Sequence, residues 1–525
     1  LLARWDQTTD ERYRRAVIEH LREMASWEYW SWFSMRKGDA RPEAFFDLSY
    51  GENAATLALA RDWLADTLTA DERRLILDLA RKWVVQPFLE NTGRESPPHW
   101  YHNPHSNWNT VCAGGAGMLA LAAGDEIDRA AADEVLRRVD SSVAAFVGTL
   151  AETAGGWEEG VGYWNYGMRY AFMYLLSWEQ AHGKPHPLMR APGVRETLDY
   201  PLDFAPHGVA CTFGDVNRWK PLPFHYALAE RFDRPDLVPR LDRVLKKHGI
   251  GASAWPDAAE LLMLHPRTGR QPQDRGVTAP YTKLYPTLDW GVLADRWPEP
   301  TLYLAVRGGS TEVAHGHTDL LSFHCVADGE KLLTNAPSGG YTDATFGPRR
   351  YDVYEMNPGA TNTILVNGVG VSKPSRVPIE RVTAHGVEGL RLDATEALGV
   401  MRDGPVARAA TRLFLVLGPD AALVVDRCRL HQYGRLEARL HSQAEVTLND
   451  GRAVLSGEDA ELHLVFAADE DAALHYAVDP VSRPGPVSHM LRWCTDKLVH
   501  AGTLATLVSR TPDARLWIEI GRAHV

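Results

Sequence analysis

Apolar residues in the first half of the chain recur every three or four positions, the period of a helix with one buried face. The pattern predicts helices over 11–33, 53–68, 71–89 and 133–152, several with Asp or Thr near their starts. Two further helical segments have unusual content. WYHNPHSNWNTVCAGGAGMLALAAG (100–124) runs from a polar cluster into a small-residue helix. GGWEEGVGYWNYGMRYAFMYLLSWEQ (155–180) passes from a Gly-rich turn into an aromatic one.

From about residue 285 the pattern changes to short β-rich runs: 288–296, 301–308, 362–368, 411–430 and 460–468. Asp-Gly pairs at 328–329 and 450–451 predict hairpins. The Pro- and Gly-containing stretch 265–280 reads as a linker. The expected architecture is multidomain α plus β. An N-terminal domain of helix pairs over 1–270, able to close as an (α/α) toroid, precedes an antiparallel β domain over 281–525. VAHGHTDLLSF (313–323) reads as a strand, which would put His315, His317 and Asp319 on one face.

Composition narrows the classes. The chain has 525 residues, 45% hydrophobic and 24% charged, with net charge −12. That balance argues against nucleic acid or an anionic membrane as a partner, while a local basic cluster could still bind an acidic ligand. Five scattered cysteines without CxxC spacing suggest neither a disulfide framework nor a thiolate metal site. No apolar run approaches the roughly 18 residues of a membrane span. The chain opens on Leu1, and its close, EIGRAHV (519–525), matches a translated sequencing adapter, so the native ends are expected to lie beyond it.

Twelve of the seventeen Trp precede residue 220, several beside Asn, His and Tyr. Aromatic walls interspersed with amides suit a carbohydrate, apolar on its ring faces and hydrogen-bonding at its edges. The strand HGHTDLLSF, then NAPSGGY (335–341) and ATNTILVNG (360–368), resembles the heparinase II/III-like family, as do SNWNTVCAGG (106–115) and EEGVGYWNY (158–166). The resemblance spans roughly residues 50–370. It implies an (α/α) toroid followed by a β-sandwich, and β-elimination on a uronate-containing polysaccharide, glycosaminoglycan-like or alginate-like. An acidic polysaccharide partner, in turn, favours a periplasmic or secreted location.

By the same resemblance Tyr163 matches the catalytic Tyr, with Tyr166 its local rival one helical turn away. His315 matches the catalytic His, as base or proton shuttle, and Asn107 the Asn that neutralises the uronate carboxylate. The next family position is often His but is Trp108 here, so action on both uronate epimers is not implied; His105 and His102 lie nearby in sequence. His317 matches a zinc ligand of metal-bearing members, but the companion positions are Asn335 and Thr361, so no cofactor is expected to be required. Asp319 is expected to support the histidines. Substrate contacts are expected from His105, Trp108, Tyr166, Arg218, Arg349, Arg350 and Tyr351, with an Arg of FGPRRYDVYE (346–355) able to pair bidentately with a carboxylate. Two other readings compete: a glycoside hydrolase using Glu158 or Glu159 with Asp215, and a non-catalytic glycan-binding protein.

Overall fold

The computed structural model describes residues 1–248, 279–338, 340–401, 404–449, 451–481 and 486–519. The helical period is realised closely. Helices cover Glu11–Ser26, Leu48–Trp63, Ala70–Ala80, Asn107–Ile127, Arg129–Glu152 and Val161–His182. The helix expected over 11–33 stops at Ser26, because Trp27 is extended and the Trp30 indole donates to the Met24 carbonyl, satisfying an acceptor of the last turn. The one expected over 71–89 carries a wide π turn at Arg81–Val85 before Gln86–Thr92, next to Pro87, which has no N–H to give.

Small residues explain how tightly these helices pack. A Cβ on Gly51 would lie 2.2 Å from the Val111 carbonyl oxygen, and one on Gly115 would lie 2.0 Å from that of Gly51. The backbones of Leu48–Trp63 and Asn107–Ile127 therefore touch, which only glycine permits. Thr110 Oγ1 donates to Gly167 O at 2.7 Å, tying the start of Asn107–Ile127 to the aromatic helix.

Among the described residues the β half holds three larger antiparallel sheets. A five-stranded sheet runs Tyr281–Tyr285, Trp290–Ala294, Leu302–Arg307, Phe323–Ala327, Glu330–Leu333. An eight-stranded sheet has Ala407–Val416, Ala421–Gly434 and Val499–Ser509 among its inner strands. A four-stranded sheet contains Leu436–Ser442 and Ile364–Val366. Leu304, Val306, Leu390, Phe414 and Val424 share one buried core, so the sheets pack face to face. Both Asp-Gly hairpins are present: Ala327 pairs with Glu330 across Asp328 and Gly329, both left-handed, and Asn449 pairs with Arg452.

The chain divides into two compact units, Leu1–Gly155 with Tyr163–Leu198 and Lys220–Pro272, and Gly156–Gly162 with Asp199–Trp219 and Gln273–Val525. Two stretches of the helical half thus cluster with the sheets, which a single boundary between 270 and 281 does not express. Hydrogen bonds account for it: Tyr303 Oη donates to Asp203 O at 2.8 Å, and Lys331 Nζ to Ala210 O at 2.8 Å. The His324 ring also bonds Thr212 O at 2.9 Å. The linker expected over 265–280 falls, up to 278, outside the described residues.

Candidate active site

The segment expected to be a strand is a loop. Residues 311–322 have no strand structure, and Phe323 is the first residue of the strand that follows. His315 and Leu321 adopt positive φ, at 57° and 71°, which breaks the two-residue alternation. His315 and His317 nevertheless converge, because both reach Asp215. His315 Nδ1 lies 3.1 Å from Asp215 Oδ2, and His317 Nε2 lies 2.9 Å from Oδ1. Asp319 turns the other way, into an ion pair with Arg307 at 2.9 Å, both side chains almost fully buried. It supports the loop, not a histidine.

Asp215 is the hub. Its side chain is 1% exposed, and Oδ1 also accepts from Arg350 Nη2 at 2.6 Å. Its backbone N–H donates to the His315 carbonyl at 3.1 Å. Gly214 permits this approach, with φ +84° and space for a Cβ closed by that same carbonyl at 2.8 Å. Burial pushes the Asp215 carboxyl up. The hydrogen bonds from His315 and His317, the His317 charge and Arg350 outweigh this and hold it well below the usual carboxylate range. An ionised Asp215 requires a proton on His315 Nδ1, so Nε2 is the ring nitrogen not committed to it.

Of the two arginines expected near a uronate carboxylate, Arg350 is bonded within the protein. Arg350 gives Nη1 to Thr345 O at 2.9 Å, and Nε and Nη2 to Gly316 O at 3.3 and 3.0 Å, besides its bond to Asp215. Its guanidinium ties the histidine loop to Asp215 and Thr345. Arg349 is exposed and bonds Asp352 at 3.2 Å, Arg218 is exposed, and Tyr351 Oη accepts from Lys373 at 3.0 Å. Tyr341 and Phe346, which local pattern does not single out, bring exposed rings to centroid distances of 6.4 and 6.0 Å from His315.

In the helical unit, Asn107 is the first residue of its helix and is buried. Its Cβ lies 3.4 Å from where a Cβ on Gly167 would stand, so it packs on the aromatic helix one turn past Tyr163. Tyr163 is half-buried. Tyr166 is held differently: its hydroxyl donates to Glu52 at 2.7 Å, and burial and the Glu52 charge push its pKa far up. A phenol so placed keeps its proton. Trp108 stands edge-on to Trp32 and tilted against His99, while the His105 backbone N–H donates to Asn103 Oδ1 at 3.0 Å.

The two positions aligned with companion zinc ligands are hydrogen-bonded within the protein. Asn335 Oδ1 accepts from Asn362 N at 3.0 Å and its Nδ2 donates to Ser322 Oγ at 3.3 Å, while Thr361 Oγ1 donates to Pro358 O at 3.0 Å. An amide and a hydroxyl engaged this way leave His317 without its companion ligands. Among the described residues no three His, Cys, Asp or Glu are grouped to hold a metal ion. Of the carboxylates a hydrolase would use, Glu159 is buried and accepts from the Trp157 indole at 2.9 Å, and Asp215 is held ionised by His315, His317 and Arg350.

Residues 280–486 match the family model described as heparinase II/III-like, C-terminal. No curated protein matches the sequence significantly. Among solved structures, a heparan sulfate lyase HepC mutant from Pedobacter heparinus is 11% identical, with TM-score 0.65 over 97% of this chain and 74% of that one. A heparinase III structure is 12% identical, with TM-score 0.66 over 97% and 75%. The helical region followed by antiparallel sheets is thus the fold of those enzymes, an α/α toroid joined to a β-sandwich.

Proposed function

We propose that this chain, whose residues 280–486 match the heparinase II/III-like C-terminal family model, is a polysaccharide lyase that cleaves a uronate-containing polymer by β-elimination. The observation that carries the reading is the fixing of the His315 ring by Asp215 through Nδ1, the kind of orienting contact a histidine base uses. In the reaction a base removes the C5 proton of the uronate, the C4–O bond breaks, and a C4–C5 double bond forms. The departing C4 oxygen takes a proton from an acid, and no water is consumed. Tyr163 serves as that acid, and as a base when its phenolate is stabilised; His315 is the base or proton shuttle. Asn107, at a helix start, donates to the uronate carboxylate, whose developing enolate charge also gains from the helix N-terminus. The polymer and its extracellular source favour a secreted or periplasmic location. Among the described residues no helix is long and apolar enough to cross a membrane.

Incubation with heparan-, chondroitin-, hyaluronan- and alginate-type polymers tests this. A lyase produces an unsaturated uronate absorbing in the ultraviolet, and Tyr163→Phe and His315→Ala each remove the signal. New reducing ends without that absorbance would establish hydrolysis. Binding without any cleavage would make the protein a glycan-binding one.

A further inference from the structure

The segment after the first long helix exposes aromatic surface that the proposed chemistry does not use. Trp32 is 48% exposed and Phe33 74%, although their neighbour Trp30 is buried and stacked on Trp83. Free loops rarely hold a large indole in one place, but this loop is pinned on both sides. Trp32 N–H donates to Asp47 Oδ2 at 2.7 Å, and Asp47 is fully buried, its other oxygen capping the helix Leu48–Trp63. Buried Arg36 ties Ser31 Oγ at 2.6 Å to the carbonyls of Asp39 and Arg41 at 2.8 and 2.7 Å. The indole is therefore exposed on a rigid base, and little entropy is lost when a ligand meets it.

Its placement gives the partner. The Trp32 ring meets Trp108 edge-on, with centroids 5.4 Å apart at 83°, and Trp108 tilts against His99 at 5.0 Å. Two indoles at a right angle present one face and one edge, and Trp108 immediately follows Asn107 in the chain. We propose that Trp32 and Trp108 form a stacking platform for a pyranose ring of the polymer, adjoining the ring held by Asn107. The apolar C–H face of the sugar lies on the indole, and its hydroxyl edge meets the neighbouring His99 and Asn103. Trp108 and His99 beside the Trp32 ring favour a sugar, whose apolar face and hydroxyl edge both find partners there. The platform rests on the lyase reading for the identity of the polymer, while glycan recognition itself does not require turnover.

The test uses the full chain carrying Tyr163→Phe, so that binding is read without cleavage, and follows retention of each uronate polymer in affinity gels. Trp32→Ala is expected to weaken binding about tenfold, and Trp32→Phe to recover most of it. In the cleaving protein, Trp32→Ala is expected to raise KM about tenfold, with kcat falling less. Its melting temperature serves as the folding control. Binding by Trp32→Ala within about twofold of the parent, or no retention of any polymer, overturns the platform. A polymer that is bound through Trp32 but never converted to unsaturated product would instead overturn the lyase reading and leave the platform standing. Unsaturated product together with Trp32-independent binding would do the reverse.

Discussion

Asp215 grips His315 at two points: its backbone N–H donates to the His315 carbonyl at 3.1 Å, and its carboxylate takes the His315 ring at the same distance. Main chain and ring orientation are fixed together by one residue a hundred positions away. An imidazole held so has a fixed direction, which the proposed general-base role would require.

Replacing Asp215 with Asn keeps the shape but lets the amide present N–H groups to His315, which favours the other tautomer. Turnover of the uronate polymer is expected to fall about 10²-fold, with a smaller change in KM. Steady-state rates with a folded variant measure this, and full activity in Asp215→Asn would remove the positioning role.

The two tyrosines of the aromatic helix should separate cleanly. Tyr163→Phe is expected to lower kcat by 10²–10⁴-fold, roughly the worth of a positioned acid–base group. Tyr166→Phe leaves most of the activity and costs about 1 kcal/mol of stability through the lost Glu52 bond. Initial rates and denaturant melts on both variants are the check, and reversed effects would exchange their roles.

Stability should depend on acid through Asp215. Its carboxyl is depressed in the folded protein, so the ionised form is favoured there and the native state binds fewer protons than the unfolded chain. This contribution is complete above the ordinary Asp value of about 4 and is lost as pH falls from there toward the depressed folded value. Melting temperatures of the parent and Asp215→Asn, taken from pH 7 downward, should differ most at neutral pH and converge in acid. A gap independent of pH would contradict this.

Asp319 and His317 should differ in kind. Asp319→Ala strands the Arg307 guanidinium in the core and is expected to cost about 3–5 kcal/mol, measured by denaturant unfolding. For His317, the protein-bonded Asn335 and Thr361 predict that chelation with EDTA changes neither melting temperature nor turnover. A clear drop in either on chelation would point to a bound metal.

Much of this protein was legible in one dimension. Helix and strand periods report which face of each local element is buried, so the all-helical first half, the sheets after about 285 and both Asp-Gly hairpins follow from spacing. The motifs around Tyr163, Asn107 and His315 likewise carried the family resemblance. Errors arose where long-range partners overruled local pattern. The helix over 11–33 ends at Ser26, its last turn capped by Trp30 and Asp47 holding Trp32 beyond it, and His315 leaves strand geometry to meet Asp215. The engagement of Arg350, the Asp319–Arg307 pair and the exposure of Trp32 were likewise decided only in three dimensions. The physical reason is that a charged or aromatic side chain takes its role from the groups that neutralise, bury or expose it, and those lie tens to hundreds of residues away along the chain.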